Sequence, residues 1–190
     1  GENKLMVAGS LLQYDEAPIQ MSSYQWTEGG KYMLFAGPVT QIYRRSSQAP
    51  YYLYEVATKK LTALAEGTPN LRNVKLSPNR KWVGYVQNFN IYMVDLATGK
   101  KQAITSDGNE NVLNGEPDWV YEEEFALSDA WHWSPDGSKI AFVSRRTGGM
   151  LRSALRFLGS TRWQSLAWLY RLTSRYEPRG LWVVRLGLRF

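Results

Sequence analysis

Three stretches of this chain repeat one arrangement of apolar and polar positions. Residues 24–36 read Tyr-Gln-Trp-Thr-Glu-Gly-Gly-Lys-Tyr-Met-Leu-Phe-Ala, 74–86 read Val-Lys-Leu-Ser-Pro-Asn-Arg-Lys-Trp-Val-Gly-Tyr-Val, and 130–143 read Ala-Trp-His-Trp-Ser-Pro-Asp-Gly-Ser-Lys-Ile-Ala-Phe-Val. Each predicts a short aromatic or apolar strand, a polar turn and a second apolar strand. The turns carry residues that suit them: Pro presets φ, while Asn and Gly tolerate positive φ. The strands are rich in Val, Ile, Tyr, Phe and Trp, which fit a pleated, half-buried surface. A second unit follows the first at 51–62 and again at 90–101, each a strand, a polar turn on Ala57-Thr58 or Ala97-Thr98, and a returning strand. That pattern reads as a hairpin.

Two hairpins per repeat, at a spacing of about 50 residues, predict the four-stranded blades of a β-propeller. A β-sandwich is the competing all-β architecture, but its strands would not recur in this pattern. Propellers close with roughly four to eight blades, and residues 21–144 hold material for about two to three. The expected fold is therefore all-β, a partial β-propeller over residues 1–144, with at least one sheet edge lacking its neighbour.

Composition changes the picture in one place. The net charge of +6 invites a nucleic-acid reading. Through Ser144, however, 13 Lys+Arg face 16 Asp+Glu, whereas from Arg145 onward ten Arg face the single acid Glu177. The basic character belongs to the tail, and the propeller part predicts no nucleic-acid partner. In that tail, 145–190, the repeat stops. Leu151, Ala154, Leu155, Leu158, Leu166, Leu169 and Leu172 recur near helical spacing. The Lys-free, Arg-rich composition points instead to an out-of-frame or chimeric stretch. Cysteine is absent, which removes disulfides and thiolate metal sites and leaves the compartment open. No apolar run approaches the roughly 18 residues of a membrane span. The first residues show no signal-peptide pattern, and the chain starts without Met.

Residues 118–124 read Asp-Trp-Val-Tyr-Glu-Glu-Glu. Three consecutive carboxylates repel one another, and a bound cation gives a reason to hold them together. On a strand, neighbouring side chains point to opposite faces. Two adjacent Glu converge only if the backbone is helical or irregular, and Asp118 is a suitable N-cap for a short helical turn. The run closely resembles the double-glutamate motif of the dipeptidyl peptidase IV family of serine peptidases. Likewise the Trp133-Ser134-Pro135-Asp136-Gly137 element resembles the repeats of that family's propeller and of TolB-like propellers.

The resemblance, over about residues 20–144, implies several things. Glu123 and Glu124 would grip the free α-amino group of a peptide, with Glu122 as the spacer on the helical turn. The segment Tyr43-Arg44-Arg45-Ser46 resembles the context of a family arginine that hydrogen-bonds a substrate carbonyl. That role falls on Arg44, with Arg45 as a competitor. The whole enzyme would release N-terminal dipeptides with Pro or Ala in second position, using a Ser–Asp–His triad on an α/β-hydrolase domain that is missing here. It would need no cofactor and no metal. Bacterial relatives are usually exported and often dimeric, which implies a periplasmic or extracellular location and a homodimer. The other reading is a non-enzymatic TolB- or WD40-like propeller that binds protein partners.

Catalytic machinery is not legible in the chain itself. No Gly-x-Ser-x-Gly pentapeptide occurs. The one histidine, His132, lies between two tryptophans in an expected blade strand, a poor place for a general base.

Overall fold

Each repeated segment folds as a pair of antiparallel strands around its polar turn. The computed structural model describes residues 7–65, 70–146 and 152–157. They fall into two compact units, one of 1–42 and 47–72, the other of 43–46 and 73 onward.

The first unit opens with a small hairpin, β1 (Gln13–Tyr14) and β2 (Ala17–Pro18). Its main element is a four-stranded antiparallel sheet of β3 (Ser23–Trp26), β4 (Tyr32–Ala36), β7 (Tyr51–Glu55) and β8 (Lys60–Ala63), in that spatial order. Between β4 and β7 lies a short hairpin, β5 (Thr40–Gln41) with β6 (Ser47–Gln48). Strand β4 is inner, and both its faces are covered: Met33 and Phe35 on one, Leu34 and Ala36 on the other. Met33 and Phe35 build a core with Tyr54, edged by Leu11, Leu12, Ile19, Trp26 and Leu61.

In the second unit β9 (Arg72–Leu76), β10 (Trp82–Gln87), β11 (Asn90–Asp95) and β12 (Lys101–Ala103) form an antiparallel sheet in sequence order. The next sheet contains β13 (Val112–Asn114), β14 (Trp131–Trp133), β15 (Lys139–Arg146) and β16 (Arg152–Phe157). Residues 140–142 of β15 pair with β14, residues 144–146 with β13, and residues 139–144 with β16. Four-stranded sheets built from the repeated hairpins make the chain an all-β partial propeller. His132 is a strand residue, opposite Ala141.

The two sheets of this unit share one core. Val86, Ile91, Met93 and Ile104 pack with Trp131, Trp133, Ile140 and Phe142. Trp131 is fully buried, and its indole N–H donates to the Asn73 carbonyl at 3.1 Å. The Trp133 indole donates to the Lys75 carbonyl at 3.4 Å. Lys75 donates to Asp129 Oδ1 at 2.6 Å and to the Trp131 carbonyl, with its Nζ 4.3 Å from the Trp131 ring centroid. Burial lowers the Lys75 pKa, and the Asp129 carboxylate opposes that pull. Gly84 makes room for the seam. A Cβ there would sit 2.5 Å from Trp131 Cη2 and 2.6 Å from Met93 Sδ.

The polar turns are built alike. Ser77 Oγ accepts from Trp82 N and donates to Asn79 Oδ1, which also accepts from Lys81 N. Ser134 Oγ accepts from Lys139 N and donates to Asp136 Oδ1, which also accepts from Ser138 N. The two turns touch through Asn79 Nδ2, which donates to the Asp136 carbonyl at 3.1 Å.

Strand β15 runs through the 144/145 boundary to Arg146. One expectation for the tail needs correction. The helical spacing that includes Leu151, Ala154 and Leu155 does not give a helix there, because Arg152–Phe157 is strand β16. The physical reason is the edge of β15: its backbone groups need partners, and pairing satisfies them whatever the spacing of the recruited side chains. The rest of the tail, 158–190, lies outside the described residues. Among the described residues no helix is long and apolar enough to cross a membrane.

The Asp136 carboxyl is held down to about 2, first by the Ser134 hydroxyl and then by the Ser138 hydroxyl and N–H. Its usual value is 3.8. A depressed acid stabilises the fold above its unfolded pKa and loses that contribution as pH falls through the folded one. The loss therefore falls between about pH 4 and pH 2. Asp136→Asn should melt below the parent at pH 5, and the difference in Tm should shrink towards zero by pH 2. A constant difference across that range would show that the carboxylate is not the stabilising form.

Candidate functional site

Between β13 and β14 the chain leaves its sheet for residues 115–130. Both stems of this excursion are fastened to one residue of β15: Gly115 N donates to the Val143 carbonyl at 2.9 Å, and Val143 N donates to the Ala130 carbonyl at 2.8 Å. Gly115 starts it with φ +75, and a Cβ on it would lie 2.8 Å from Ile91 Cγ1, so glycine is required on both counts.

The acidic run forms a helix inside this excursion, α1 (Trp119–Phe125). Asp118 is its N-cap, with extended backbone and Oδ1 accepting from Tyr121 N at 2.9 Å. The other carboxylate oxygen, Oδ2, pairs with the Arg145 guanidinium, which lies 5.1 Å from the Tyr121 ring centroid. Tyr121 and Phe125, one turn apart, have ring centroids 5.3 Å apart. Ala126 ends the helix in left-handed backbone at φ +55, and the N–H groups of Ala126 and Leu127 both donate to the Tyr121 carbonyl.

A helix advances about 100° per residue, so three successive acids cannot share a face. Glu122 points inward and is 0% exposed, Glu123 is half-buried and Glu124 is exposed. Glu122 Oε1 accepts from Arg45 N at 2.6 Å and from Ser46 N at 2.9 Å. The expected spacer is therefore a structural acceptor, because the inward face of α1 meets two backbone donors that need one. The turn that supplies them is closed by Tyr43 N donating to the Ser46 carbonyl at 3.4 Å. Arg44 and Arg45 are both exposed on it.

Helix α1 and the Arg44 turn are thus joined through Glu122, by bonds that span 76 and 77 residues of sequence. Among the described residues the side chains of Glu123, Glu124 and Arg44 make no hydrogen bond or ion pair. Three charged side chains without partners among the described residues border a linkage made through Glu122 Oε1. The sequence hint for Glu122 was only indirect: with a 100° step, one of three adjacent acids has to face away from solvent.

Residues 27–150 match the family model of the dipeptidyl peptidase IV N-terminal region. The chain belongs to that family. Dipeptidyl aminopeptidase B of Saccharomyces cerevisiae is 31% identical over 144 residues, covering 74% of this chain and 17% of the yeast protein. A Schizosaccharomyces pombe protein assigned as a dipeptidyl aminopeptidase is 36% identical over 145 residues, covering 74% of this chain and 18% of its own length. The crystal structure of Porphyromonas gingivalis dipeptidyl peptidase 4 superposes with a TM-score of 0.62 at 32% identity, over 68% of this chain and 19% of that one. The chain thus spans under a fifth of each relative. Family membership also decides between the two propeller families that the repeats alone left open.

Asp118 has two separable roles, cap and ion-pair partner. Asp118→Ala should lose both, about 1–3 kcal/mol in a urea unfolding titration, since losing a cap typically costs about 0.5–2 kcal/mol and the half-buried Arg145 loses its partner. Asp118→Asn keeps a capping oxygen and should lose less than half as much. Equal losses would mean that the cap contributes nothing.

Proposed function

We propose that this chain is the substrate-recognition part of a dipeptidyl peptidase, gripping the peptide α-amino group with Glu123 and Glu124 and a substrate carbonyl with Arg44. The observation that carries the reading is the state of the three acids on α1: Glu122 is committed inside the protein, while Glu123 and Glu124 have no partner among the described residues. An α-amino group has a pKa near 7.7–8.0 and is largely cationic at neutral pH. Carboxylates on the adjoining arc of one helix offer it charge-assisted hydrogen bonds, about twice as strong as neutral ones. An arginine on the turn joined to that helix offers donors to the next polar group along the peptide, its carbonyl.

The chemistry belongs to the rest of the enzyme. In this reading a Ser–Asp–His triad on an α/β-hydrolase domain of the same polypeptide releases N-terminal dipeptides with Pro or Ala in second position. The recognised partner is a peptide with a free N-terminus. Export to a periplasm or the cell exterior, and a homodimeric full-length form, are parts of the same reading. The fungal and Porphyromonas relatives named above support the peptidase assignment by their names alone.

Removing one member of a desolvated charge pair costs about 2–5 kcal/mol, about 30-fold or more at 1.4 kcal/mol per decade. In the full-length enzyme, Glu123→Ala or Glu124→Ala should lower kcat/KM on a Pro-linked chromogenic dipeptide by at least that factor. An N-acetylated substrate should be poor for the parent and scarcely poorer for the variants. Parental kcat/KM for both variants on the free-amine substrate would sink the clamp.

A further inference from the structure

We infer that Glu122 is a positioning residue, whose buried carboxylate holds the Arg44 turn against α1 so that the amine-binding helix and the carbonyl-binding arginine are set as one piece. The inference rests on the reading of Glu123, Glu124 and Arg44 proposed above.

The argument starts from burial. An ionisable side chain with no exposed surface is costly unless its polar atoms are hydrogen-bonded, and Glu122 is 0% exposed. Its Oε1 is matched by the successive backbone N–H groups of Arg45 and Ser46, at 2.6 and 2.9 Å. Successive N–H groups turned to one side form an anion-binding concavity, here filled by a side chain of the protein itself.

The Arg45 N–H belongs to the peptide plane that begins at Arg44. Because that plane is rigid and contains the Arg44 Cα, fixing the N–H fixes that Cα and the axis of its Cα–C bond, and the Tyr43–Ser46 bond that closes the turn limits rotation about it. Among the described residues the Arg44 side chain makes no hydrogen bond or ion pair of its own. At the other end of the linkage, Glu122 is followed directly by Glu123 and Glu124 on the same short helix. One side chain thereby sets the spacing between the two halves of the site. Glu122 Oε2 and Ser46 Oγ are buried there without a hydrogen bond, so an amide nitrogen in place of Oε2 displaces no existing bond. Glu122→Gln is accordingly the variant expected to fold.

Amide hydrogen exchange on the 190-residue chain reads the linkage directly. Glu122→Ala should speed exchange at the Arg45 and Ser46 amides by about tenfold or more, the scale for losing bonds to a charged acceptor. Amides of β10 and β11 should be unchanged. Glu122→Gln, which keeps a weaker neutral acceptor, should fall between Ala and the parent. If Glu122→Ala fails to fold, the Gln variant decides by the same comparison. Parental protection at Arg45 and Ser46 in the variant that folds overturns the inference.

A kinetic cycle in the full-length enzyme tests whether Glu122 acts through Arg44. Arg44→Ala should lower kcat/KM, and Glu122→Ala added to it should lower it further by less than about twofold. A Glu122→Ala loss as large on the Arg44→Ala background as on the parent would mean independent action and refute positioning. If Arg44→Ala alone changes nothing, the carbonyl role proposed above fails, and exchange alone then decides whether Glu122 holds the turn.

Discussion

The second unit depends on Trp131. Each of its two sheets has an apolar face that must be covered, and this fully buried ring lies within the core that covers both. A tryptophan brings a large apolar surface and one polar atom, which needs a partner when buried. The Asn73 carbonyl supplies it across the sheets. Gly84 leaves the space the ring occupies, and Lys75 braces the same strand through Asp129 and the Trp131 carbonyl. Strand β14 is thereby seated and β15 is aligned beside it in register Trp131↔Phe142. One residue further along β15, Val143 clamps both stems of the excursion that carries α1. The placement of the acidic helix thus descends from a packing decision in the core.

A helix of seven residues is too short to stand on its own propensity, because nucleation is costly and few bonds repay it. Helix α1 is held instead by its ends and its inward side: the Asp118 cap and Arg145 at the start, two amides on the Tyr121 carbonyl at the finish, and Glu122 between them. The ends are not electrostatically equal. Glu122, in the first turn, sits where the helix dipole favours an anion. Glu124 sits near the C-terminal end, where the dipole disfavours one and no basic residue stands in the last turn.

The blades were legible because the apolar alternation and the Ser-Pro-Asn and Ser-Pro-Asp turns recur. Repetition separates a structural pattern from chance, and the side-chain bonds inside both turns are local enough to read from a few residues. The helical state of the acidic run was legible from Asp118 for the same reason. The role of Glu122 was not. Its partners are main-chain N–H groups 76 and 77 residues away, and backbone donors leave no mark on a residue string. The tail misled for a related reason: the spacing of Leu151, Ala154 and Leu155 speaks only of side chains, whereas pairing with β15 concerns backbone groups.

The acidic helix departs from the pattern of the inner strands. Strands β4, β10 and β11 bury most of their apolar residues, yet α1 exposes Trp119, Val120 and Phe125 and leaves the side chains of adjacent Glu123 and Glu124 unpartnered among the described residues. Such departures from local consistency concentrate at functional sites. Here the departure has a direction. Two neighbouring carboxylates repel, and in the reading proposed above a cation held between them would turn that repulsion into two attractions. The excess negative charge on the helix would then be the charge that favours an ammonium group. Glu122 adds no third acid to that surface, because its side chain is buried with Oε1 bonded to the Arg44 turn.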